Sequence, residues 1–181
     1  MTIEAFDRVH LDGTGFDRIT ESEVVAVVRE AVAAGRGGRI ITPNIDILRQ
    51  AQVDPRVRAH LDDADLIVAD GMPLVWASKL SGTPLPERVA GSSLIRSLSE
   101  GLGRDGRSIF VIGGNPATPT AADGATRAAA RLAADCPGLR VAGTLCPEYG
   151  FERDPEVYAE FRAAVREASP DLVFVGLGFP K

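Results

Sequence analysis

Short apolar runs alternate with helix-forming segments along most of this chain, and this alternation limits the possible folds more than any other feature. The runs are RIITPN, LIVADG, SIFVIGGNP, LRVAGTL and DLVFVG. Most are continuously apolar before they end, which is typical of strands in a parallel sheet that helices cover on both faces. The sequence therefore predicts an α/β fold with a Rossmann-like, mostly parallel sheet of five or six strands and helices on both faces.

The N-terminal segment departs from this pattern. RVHLDGTGFDRIT contains two short strand-like runs around Asp12-Gly13, a pair typical of tight hairpin turns. Thr20 follows, with Glu23 three residues later, and this spacing predicts a capping box at the start of the first helix. We expect a short N-terminal β-hairpin that leads into a helix.

Two further local predictions concern the middle of the chain. The helix in SSLIRSLSEGLG is expected to be capped by Ser92 or Ser93. Trp76, in the helical segment MPLVWASKLSG, is expected to lie in the core.

Composition excludes several classes of function. The 181 residues are 45% hydrophobic and 25% charged, which suits one domain, residues 1–181, able to bury a core without disulfides. A net charge of -5 and the lack of a basic arm argue against nucleic-acid binding. No apolar run reaches the ~20 residues that a membrane-spanning helix needs. The N-terminus does not resemble a signal peptide, and Cys136 and Cys146 lack the spacing of metal ligands. We therefore expect a cytoplasmic protein with reduced thiols.

Polar or glycine-rich residues follow each predicted strand. In open parallel sheets, ligands bind outside the carboxyl ends of the strands, so one crevice is expected to gather these residues. They are Thr42 and Asn44, Asp70 and Gly71, Gly113, Gly114 and Asn115, Thr144, and Gly176 and Gly178.

Each polar candidate has two interpretations. Asp70 is either the cap of the helix that follows it or a general base that takes a proton from a bound hydroxyl. Thr42 and Asn44 either cap the next helix or hydrogen-bond a polar ligand. Arg88, in the proline-flanked loop PLPERVAG, is either a surface arginine or a forked donor that clamps a diphosphate.

Three other motifs are weaker. VIGGNP would let backbone amides approach a phosphate, but it is not GxGxxG and no Walker lysine follows, which argues against a dinucleotide cofactor. Asp63-Ala64-Asp65 spells DxD but precedes its strand, so a solvated helix end is favoured over a metal site. His10 and His60 lack ligand-spaced partners. We expect no metal and no cofactor.

Five blocks occur together in one known family. They are TPNIDILRQAQ, ADLIVADGMPLVWASKLSGTPLPERVAGSSL, VIGGNP, PEYGF and PDLVFVGLGFPK. In their order and spacing the chain resembles the WecG/TagA/CpsF glycosyltransferases, whose best-known members are N-acetylmannosaminyltransferases. The resemblance covers essentially the whole chain.

The resemblance implies a reaction. The family transfers a hexose from a UDP-sugar donor to a polyprenyl-diphosphate-linked sugar acceptor, with inversion and without a metal, in teichoic-acid, enterobacterial-antigen or capsule synthesis. It implies Asp70 as base, Thr42 in the pocket and Arg88 as necessary for activity. It also implies that Gly113, Gly114, Gly176 and Gly178 line the nucleotide side. The other substrate-binding residues that we expect are Asn44, Gly71, Asn115 and Tyr149. Peripheral contact with the inner face of the membrane and a homo-oligomer are compatible with this reading.

One departure and two alternatives remain. Family members continue past GFPK with a Gln-Glu pair and a helical appendage, whereas this sequence stops at Lys181, so we expect a catalytic domain that lacks the appendage. The alternatives are a nucleotide-sugar binding domain without turnover and a nicotinamide or flavin oxidoreductase. For a transferase, Asp70 and Arg88 are expected to face one pocket.

Overall fold

The computed structural model describes residues 6–178. Within them the contacts cluster into two compact units, the first extending to Leu98 and the second beginning at Ser99.

The first unit opens with the predicted hairpin. Strand β1 (Arg8–Leu11) pairs antiparallel with β2 (Thr14–Asp17). Between them Asp12 and Gly13 have φ values of 50° and 76°, the left-handed conformation that an Asp-Gly turn supplies at low cost. The expected N-terminal hairpin is therefore confirmed.

Helix α1 (Glu21–Ala33) begins with the predicted capping box. Thr20 Oγ1 accepts a hydrogen bond from Glu23 N, and the Glu23 carboxylate accepts one from Thr20 N. Two amides that would otherwise lack a partner at the helix start are satisfied in this way.

A short parallel pair lies at the centre of the first unit. Strand β3 (Ile40–Ile41) pairs with β4 (Leu66–Ile67), and one more bond, from Asp70 N to Pro43 O (3.1 Å), joins the two chains past the strand ends. On its other edge β4 is held by the buried Asp17 carboxylate, which accepts from Ile67 N at 2.7 Å. Hydrogen bonds thus fix both edges of β4, and with them the position of its carboxyl end.

Four further helices follow α1, the last of which extends past Leu98, and one of them begins earlier than predicted. The fourth starts at Gly91 rather than after a cap at Ser92 or Ser93, so that prediction is wrong. Its first turn uses Ala90 O, which accepts from Leu94 N at 2.9 Å. The helices are α2 (Ile45–Val53), α3 (Pro55–Asp62), α4 (Met72–Leu80) and α5 (Gly91–Arg104).

The prediction that Trp76 lies in the core is also wrong. Its side chain is 57% exposed, and it lies on α4 between Met72 (40%) and Leu80 (90%) at a spacing of four residues. Positions four apart share one face of a helix, so these three side chains form an outward apolar stripe. The opposite face, with Leu74 and Val75, supplies the buried contacts.

The second unit is built on a three-stranded parallel sheet in the order β6-β5-β7. The α/β class is therefore confirmed. The five parallel strands of the described residues form a pair and this sheet of three. The elements of this part are β5 (Ser108–Gly113), α6 (Gly124–Asp135), β6 (Arg140–Leu145), a 3-10 turn (Phe151–Arg153), α7 (Pro155–Ala168) and β7 (Leu172–Gly176).

The core of the second unit lies on β5. Ile109 and Phe110 are buried, as are Ala125 and Ala129 of the alanine-rich helix α6.

Among residues 6–178 no helix combines the length and the apolar character that crossing a membrane requires.

Candidate active site

Two strand ends of the first unit bring candidate residues together. Thr42 follows β3 and Asp70 follows β4, and these strands run parallel. The bond from Asp70 N to Pro43 O shows that the two chain segments are still adjacent at this point. The carboxyl-end position predicted for both residues is therefore confirmed.

Asp70 is held through one carboxylate oxygen. Its Oδ2 accepts a hydrogen bond from Gly91 N at 3.3 Å, where α5 begins, and a helix N-terminus favours a negative charge. Asp70 thus caps a helix, but that helix is α5 rather than α4, which directly follows it and has no side-chain cap. Within the described residues Oδ1 has no hydrogen-bond partner. A half-buried carboxylate with one oxygen fixed and one available can accept a proton from a bound hydroxyl.

Thr42 lies against the same helix start. A Cβ added to Gly91 would be 2.9 Å from Thr42 Oγ1, which is closer than such atoms normally approach. Because Gly91 lacks a side chain, the threonine hydroxyl can sit beside the amide that holds Asp70. Asn44 acts as the N-cap of α2, where its Oδ1 accepts from Ile47 N at 3.0 Å. A substrate contact by Asn44 stays a prediction.

The starts of three helices adjoin this pair of strand ends. Helix α2 begins four residues after the end of β3, and α4 begins two residues beyond Asp70. The first amide of α5 donates to the Asp70 carboxylate. Gly71, at the α4 start, brings no side chain to the helix end. Each helix N-terminus carries a partial positive charge and amides that suit an anion. Of the three, only α4 lacks a side-chain cap, because Asn44 caps α2 and the Asp70 carboxylate accepts from the first amide of α5.

Arg88 lies on a loop that is held on both sides. Val89 N donates to Ala69 O at 2.9 Å, directly beside Asp70, and Leu85 N donates to the buried Ser78 Oγ at 2.9 Å. Leu85 and Val89 are buried, whereas Arg88 is exposed. Its guanidinium makes no hydrogen bond or ion pair with another described residue, Asp70 included. That the two side chains face one pocket stays a prediction.

A cavity of about 530 Å³ adjoins the amino-terminal part of this loop. Its lining does not include Asp70, Thr42 or Arg88. Its lining residues are Asp7, Arg18, Lys79, Pro84, Leu85 and Pro86.

The glycines of VIGGNP in the second unit are required by close backbone packing. A Cβ on Gly113 would be 2.2 Å from Gly176 O, and one on Gly114 would be 2.6 Å from Gly124 Cα. Both residues also have positive φ, 122° and 86°. The ends of β5 and β7 and the start of α6 can approach one another only because these positions are glycine. A nucleotide contact at Gly113, Gly114 and Gly176 stays a prediction.

The start of α6 already holds a carboxylate. Asp123 accepts from Thr126 N at 2.9 Å and from Thr126 Oγ1 at 2.8 Å, and these bonds lower the pKa of Asp123. Asn115 O accepts from Gly124 N at 2.8 Å. A bound phosphate would therefore meet a negative charge at this helix end. The remaining predicted binding residues of this unit, Asn115, Tyr149 and Gly178, are exposed.

The DxD motif is engaged at the amino end of the β3–β4 pair. The Asp63 carboxylate accepts from Arg39 Nη2 at 2.8 Å, and Asp65 Oδ2 accepts from Arg39 N at 2.8 Å. Both contacts fasten the strands at the end opposite Asp70. In residues 6–178, no group of three or more His, Cys, Asp or Glu side chains is arranged to hold a metal ion.

Sequence reasoning missed Gly91 and Glu87. Gly91 touches both Asp70 and Thr42, yet a single glycine at a helix start carries little signal when two serines follow it. Glu87 accepts from Glu21 N at 2.6 Å, a contact across 66 residues that no local pattern predicts. Its position next to Arg88 in PLPERVAG was the available hint.

Comparisons with known proteins agree on one family. The model of the glycosyl transferase WecG/TagA/CpsF family matches residues 9–181. A Bacillus spizizenii protein is 34% identical over 145 residues, which are 80% of this chain and 52% of that protein. A Bacillus subtilis protein is 26% identical over 144 residues, again 80% and 52%. A Staphylococcus aureus protein is 25% identical over 177 residues, 96% and 65%.

All three relatives carry the same name, N-acetylglucosaminyldiphosphoundecaprenol N-acetyl-beta-D-mannosaminyltransferase. The chain spans about half to two thirds of their length.

Proposed function

Because the chain belongs to the WecG/TagA/CpsF family of glycosyl transferases, we propose that it contains the catalytic residues of a hexosyltransferase. The sugar is N-acetylmannosamine, the donor is a UDP-sugar, and the acceptor is a sugar linked through a diphosphate to a polyprenol. The relatives' shared name, which specifies an N-acetylmannosaminyl group and a diphosphoundecaprenol acceptor, supports the sugar and the acceptor. The product would serve cell-wall polysaccharide or teichoic-acid synthesis.

One observation carries this proposal: the environment of Asp70. The carboxylate lies at the carboxyl end of β4, Gly91 N holds its Oδ2, and Thr42 lies beside that amide. A sugar hydroxyl is a weak nucleophile, and a positioned base accelerates its attack by typically 10²–10⁴-fold. In a family of sugar transferases, a fixed carboxylate with one available oxygen is suited to be that base.

The proposed reaction is a single displacement at the anomeric carbon of the donor. Asp70 Oδ1 takes the proton from the acceptor hydroxyl while the hydroxyl oxygen forms a bond to the anomeric carbon. The bond from this carbon to the UDP oxygen breaks on the opposite face, and its electron pair leaves with UDP. Attack and departure on opposite faces invert the configuration of the sugar.

The departing diphosphate gains negative charge, and cationic groups of the first unit are proposed to stabilise it. The Arg88 guanidinium has no partner among the described residues, and its planar fork suits a diphosphate. The start of α4, which has no side-chain cap, adds amide donors and partial positive charge. We expect transfer to be unchanged when a chelator replaces added divalent cations, and a strict requirement for Mg²⁺ or Mn²⁺ would contradict this assignment.

Peripheral contact with a bilayer is part of the proposal. The stripe of Met72, Trp76 and Leu80 on α4 starts two residues after Asp70 and faces outward. From Gly71 to Pro86 the only charged residue is Lys79. Tryptophan and lysine beside exposed aliphatic side chains are typical of interfacial helices. An acceptor with a polyprenyl tail would present its diphosphate at the bilayer surface, so we propose that this surface covers the stripe.

A nucleotide-sugar binding domain without turnover is the alternative, and a donor panel separates the two. Purified protein is incubated with a series of UDP-hexoses and UDP-N-acetylhexosamines, with and without a lipid-diphosphate-linked N-acetylglucosamine acceptor. The proposal predicts acceptor-dependent release of UDP and a product with inverted linkage, highest with UDP-N-acetylmannosamine. Donor binding without acceptor-dependent release would favour the binding domain.

A further inference from the structure

The loop that carries Arg88 has a third fixed point besides its buried ends. Between Leu85 and Val89, whose side chains and amides are held within the unit, three exposed residues bridge the gap. Glu87 Oε1 accepts a hydrogen bond from Glu21 N, the first amide of α1, at 2.6 Å. The residue directly before Arg88 is thereby tied to a helix from a distant part of the sequence.

The start of α1 favours this contact electrostatically. The first amides of a helix lack intrahelical partners and carry partial positive charge, so a carboxylate placed there is stabilised. Glu23 serves the same helix end through its bond with Thr20 N at 2.8 Å. The two carboxylates therefore have comparable local roles in α1, but only Glu87 belongs to the Arg88 loop.

The same helix start also contacts α5. The Glu21 carboxylate accepts from Ser93 Oγ at 2.6 Å and from Ser97 Oγ. Gly91 N of α5 holds Asp70. The first turn of α1 is thus bonded both to the side chain of Glu87, the residue before Arg88, and to the helix that holds the proposed base.

We propose that Glu87 is a positioning residue, which fixes the Arg88 peptide so that the guanidinium is held ready for the leaving diphosphate. The inference rests on the proposed transferase function. An exposed loop side chain loses conformational freedom when it binds, and fixing its backbone beforehand lowers that cost. Misplacement of a charged group by about 1 Å can reduce a rate by roughly 10²-fold.

The test compares two glutamates at one helix end. Glu87→Ala removes a carboxylate that accepts from Glu21 N, and Glu23→Ala removes one that accepts from Thr20 N, so both are expected to lower thermal stability slightly. Only Glu87→Ala is expected to reduce kcat/KM for transfer, by about ten- to a hundredfold. Glu87→Gln keeps an acceptor oxygen and should recover most of the loss. Equal losses in the two alanine variants would overturn the proposal.

A double variant checks that the effect passes through Arg88. If Glu87 acts by holding Arg88, then Glu87→Ala adds little to the loss already caused by Arg88→Ala. Losses that multiply in full would show that Glu87 acts by another route and would overturn the proposal.

Hydrogen exchange tests the positioning without any turnover. The Val89 amide is bonded to Ala69 O, and loosening of the loop should speed its exchange. We expect faster exchange at Val89 in Glu87→Ala and an unchanged rate in Glu23→Ala. If the native protein transfers no sugar, the proposed function fails while this result still reports on the loop. Unchanged exchange at Val89 in Glu87→Ala would overturn the positioning role.

Discussion

At the scale of single residues, Gly91 connects the two strand ends of the candidate site. Its amide donates to Asp70 Oδ2, and its missing side chain leaves space for Thr42 Oγ1. Any other residue at this position would place a Cβ 2.9 Å from that hydroxyl. The glycine is therefore explained by the site and not by helix formation, to which glycine is unfavourable.

Replacement of Gly91 by alanine should lower activity while changing stability little. The new Cβ would lie 2.9 Å from Thr42 Oγ1, so Thr42 or the start of α5 must shift. Alanine is the better helix former by up to about 1 kcal/mol, which offsets part of the cost of this strain. We predict at least a tenfold loss of transfer with a melting temperature within a few degrees of the native protein. Full activity in Gly91→Ala would contradict the proposed contact.

Substitution of Arg88 should lower the rate of transfer without changing the stability of the fold. Because its side chain is exposed and has no partner in the described part of the chain, Arg88→Lys is expected to leave thermal unfolding unchanged. Lysine keeps the charge but loses the forked donors, and we predict roughly a tenfold or greater loss of kcat/KM. Arg49→Lys, an exposed arginine of α2, is the matched control. Equal activity of the two variants would remove Arg88 from the mechanism.

At the scale of elements, Asp171 joins the starts of β5 and β7. It accepts from Ser108 N at 2.7 Å, from Ser108 Oγ at 2.8 Å and from Arg107 at 3.2 Å. Burial acts to raise the pKa of Asp171, but these hydrogen bonds and the charge of Arg107 outweigh it, and the pKa lies below its usual value. A lowered pKa in the folded state means that the ionised carboxylate stabilises the fold.

The stabilising effect of Asp171 should therefore disappear in acid. It is fully present above the unfolded-state pKa of about 3.9 and is lost as the pH falls through that value towards the lower folded-state pKa. Asp171→Asn is predicted to lower the free energy of unfolding by about 1–3 kcal/mol at pH 7. Urea unfolding at pH 7, 5 and 3.5 should show this difference narrowing at the lowest pH. A constant difference would contradict the assignment.

Turns and helix starts that depend on neighbouring residues were predicted correctly from the sequence. The Asp12-Gly13 turn and the capping box of Thr20 and Glu23 rest on contacts within four residues, and both are present. The prediction failed where a distant residue decides. Asp70, from another strand, supplies the contact at the start of α5, and no local pattern near Ser92 contains it.

The candidate site shows the same division. The periodicity of short apolar runs predicts that Thr42 and Asp70 follow parallel strands, and the structure confirms this. It does not predict that Gly91 lies between them, because that depends on the path of the loop from Leu85 to Val89. Trp76 was misplaced because helical spacing gives a shared face but not which face is covered.

At the scale of the whole molecule, apolar contact rather than charge should govern attachment to a bilayer. The net charge of -5 does not favour an anionic surface, whereas the α4 stripe exposes Met72, Trp76 and Leu80. We predict that the protein co-sediments with phosphatidylcholine vesicles and that added salt changes this little. Trp76→Ser with Leu80→Ser should release it. Val53→Ser, which changes an 82% exposed residue of α2, should not.

Other occupants of the stripe would give different results. If a second copy of the chain covered it, the Trp76 and Leu80 substitutions would change the sedimentation coefficient without vesicles. If the Trp76→Ser, Leu80→Ser double variant and Val53→Ser bound vesicles equally, the stripe would not face a bilayer. Transfer to a short-chain, water-soluble acceptor should remain normal in the stripe variant, because Asp70 and Arg88 are unaltered.

The most direct test of the account is the transfer rate of Asp70→Asn with a soluble acceptor analogue, compared with Asp63→Asn. Both replace a carboxylate by an amide near the same strand, but Asp63 lies at its amino end and pairs with Arg39. We predict that Asp70→Asn keeps its fold and donor affinity while transfer falls by about 10²–10⁴-fold, and that Asp63→Asn transfers normally. Near-normal transfer by Asp70→Asn would contradict its role as the base.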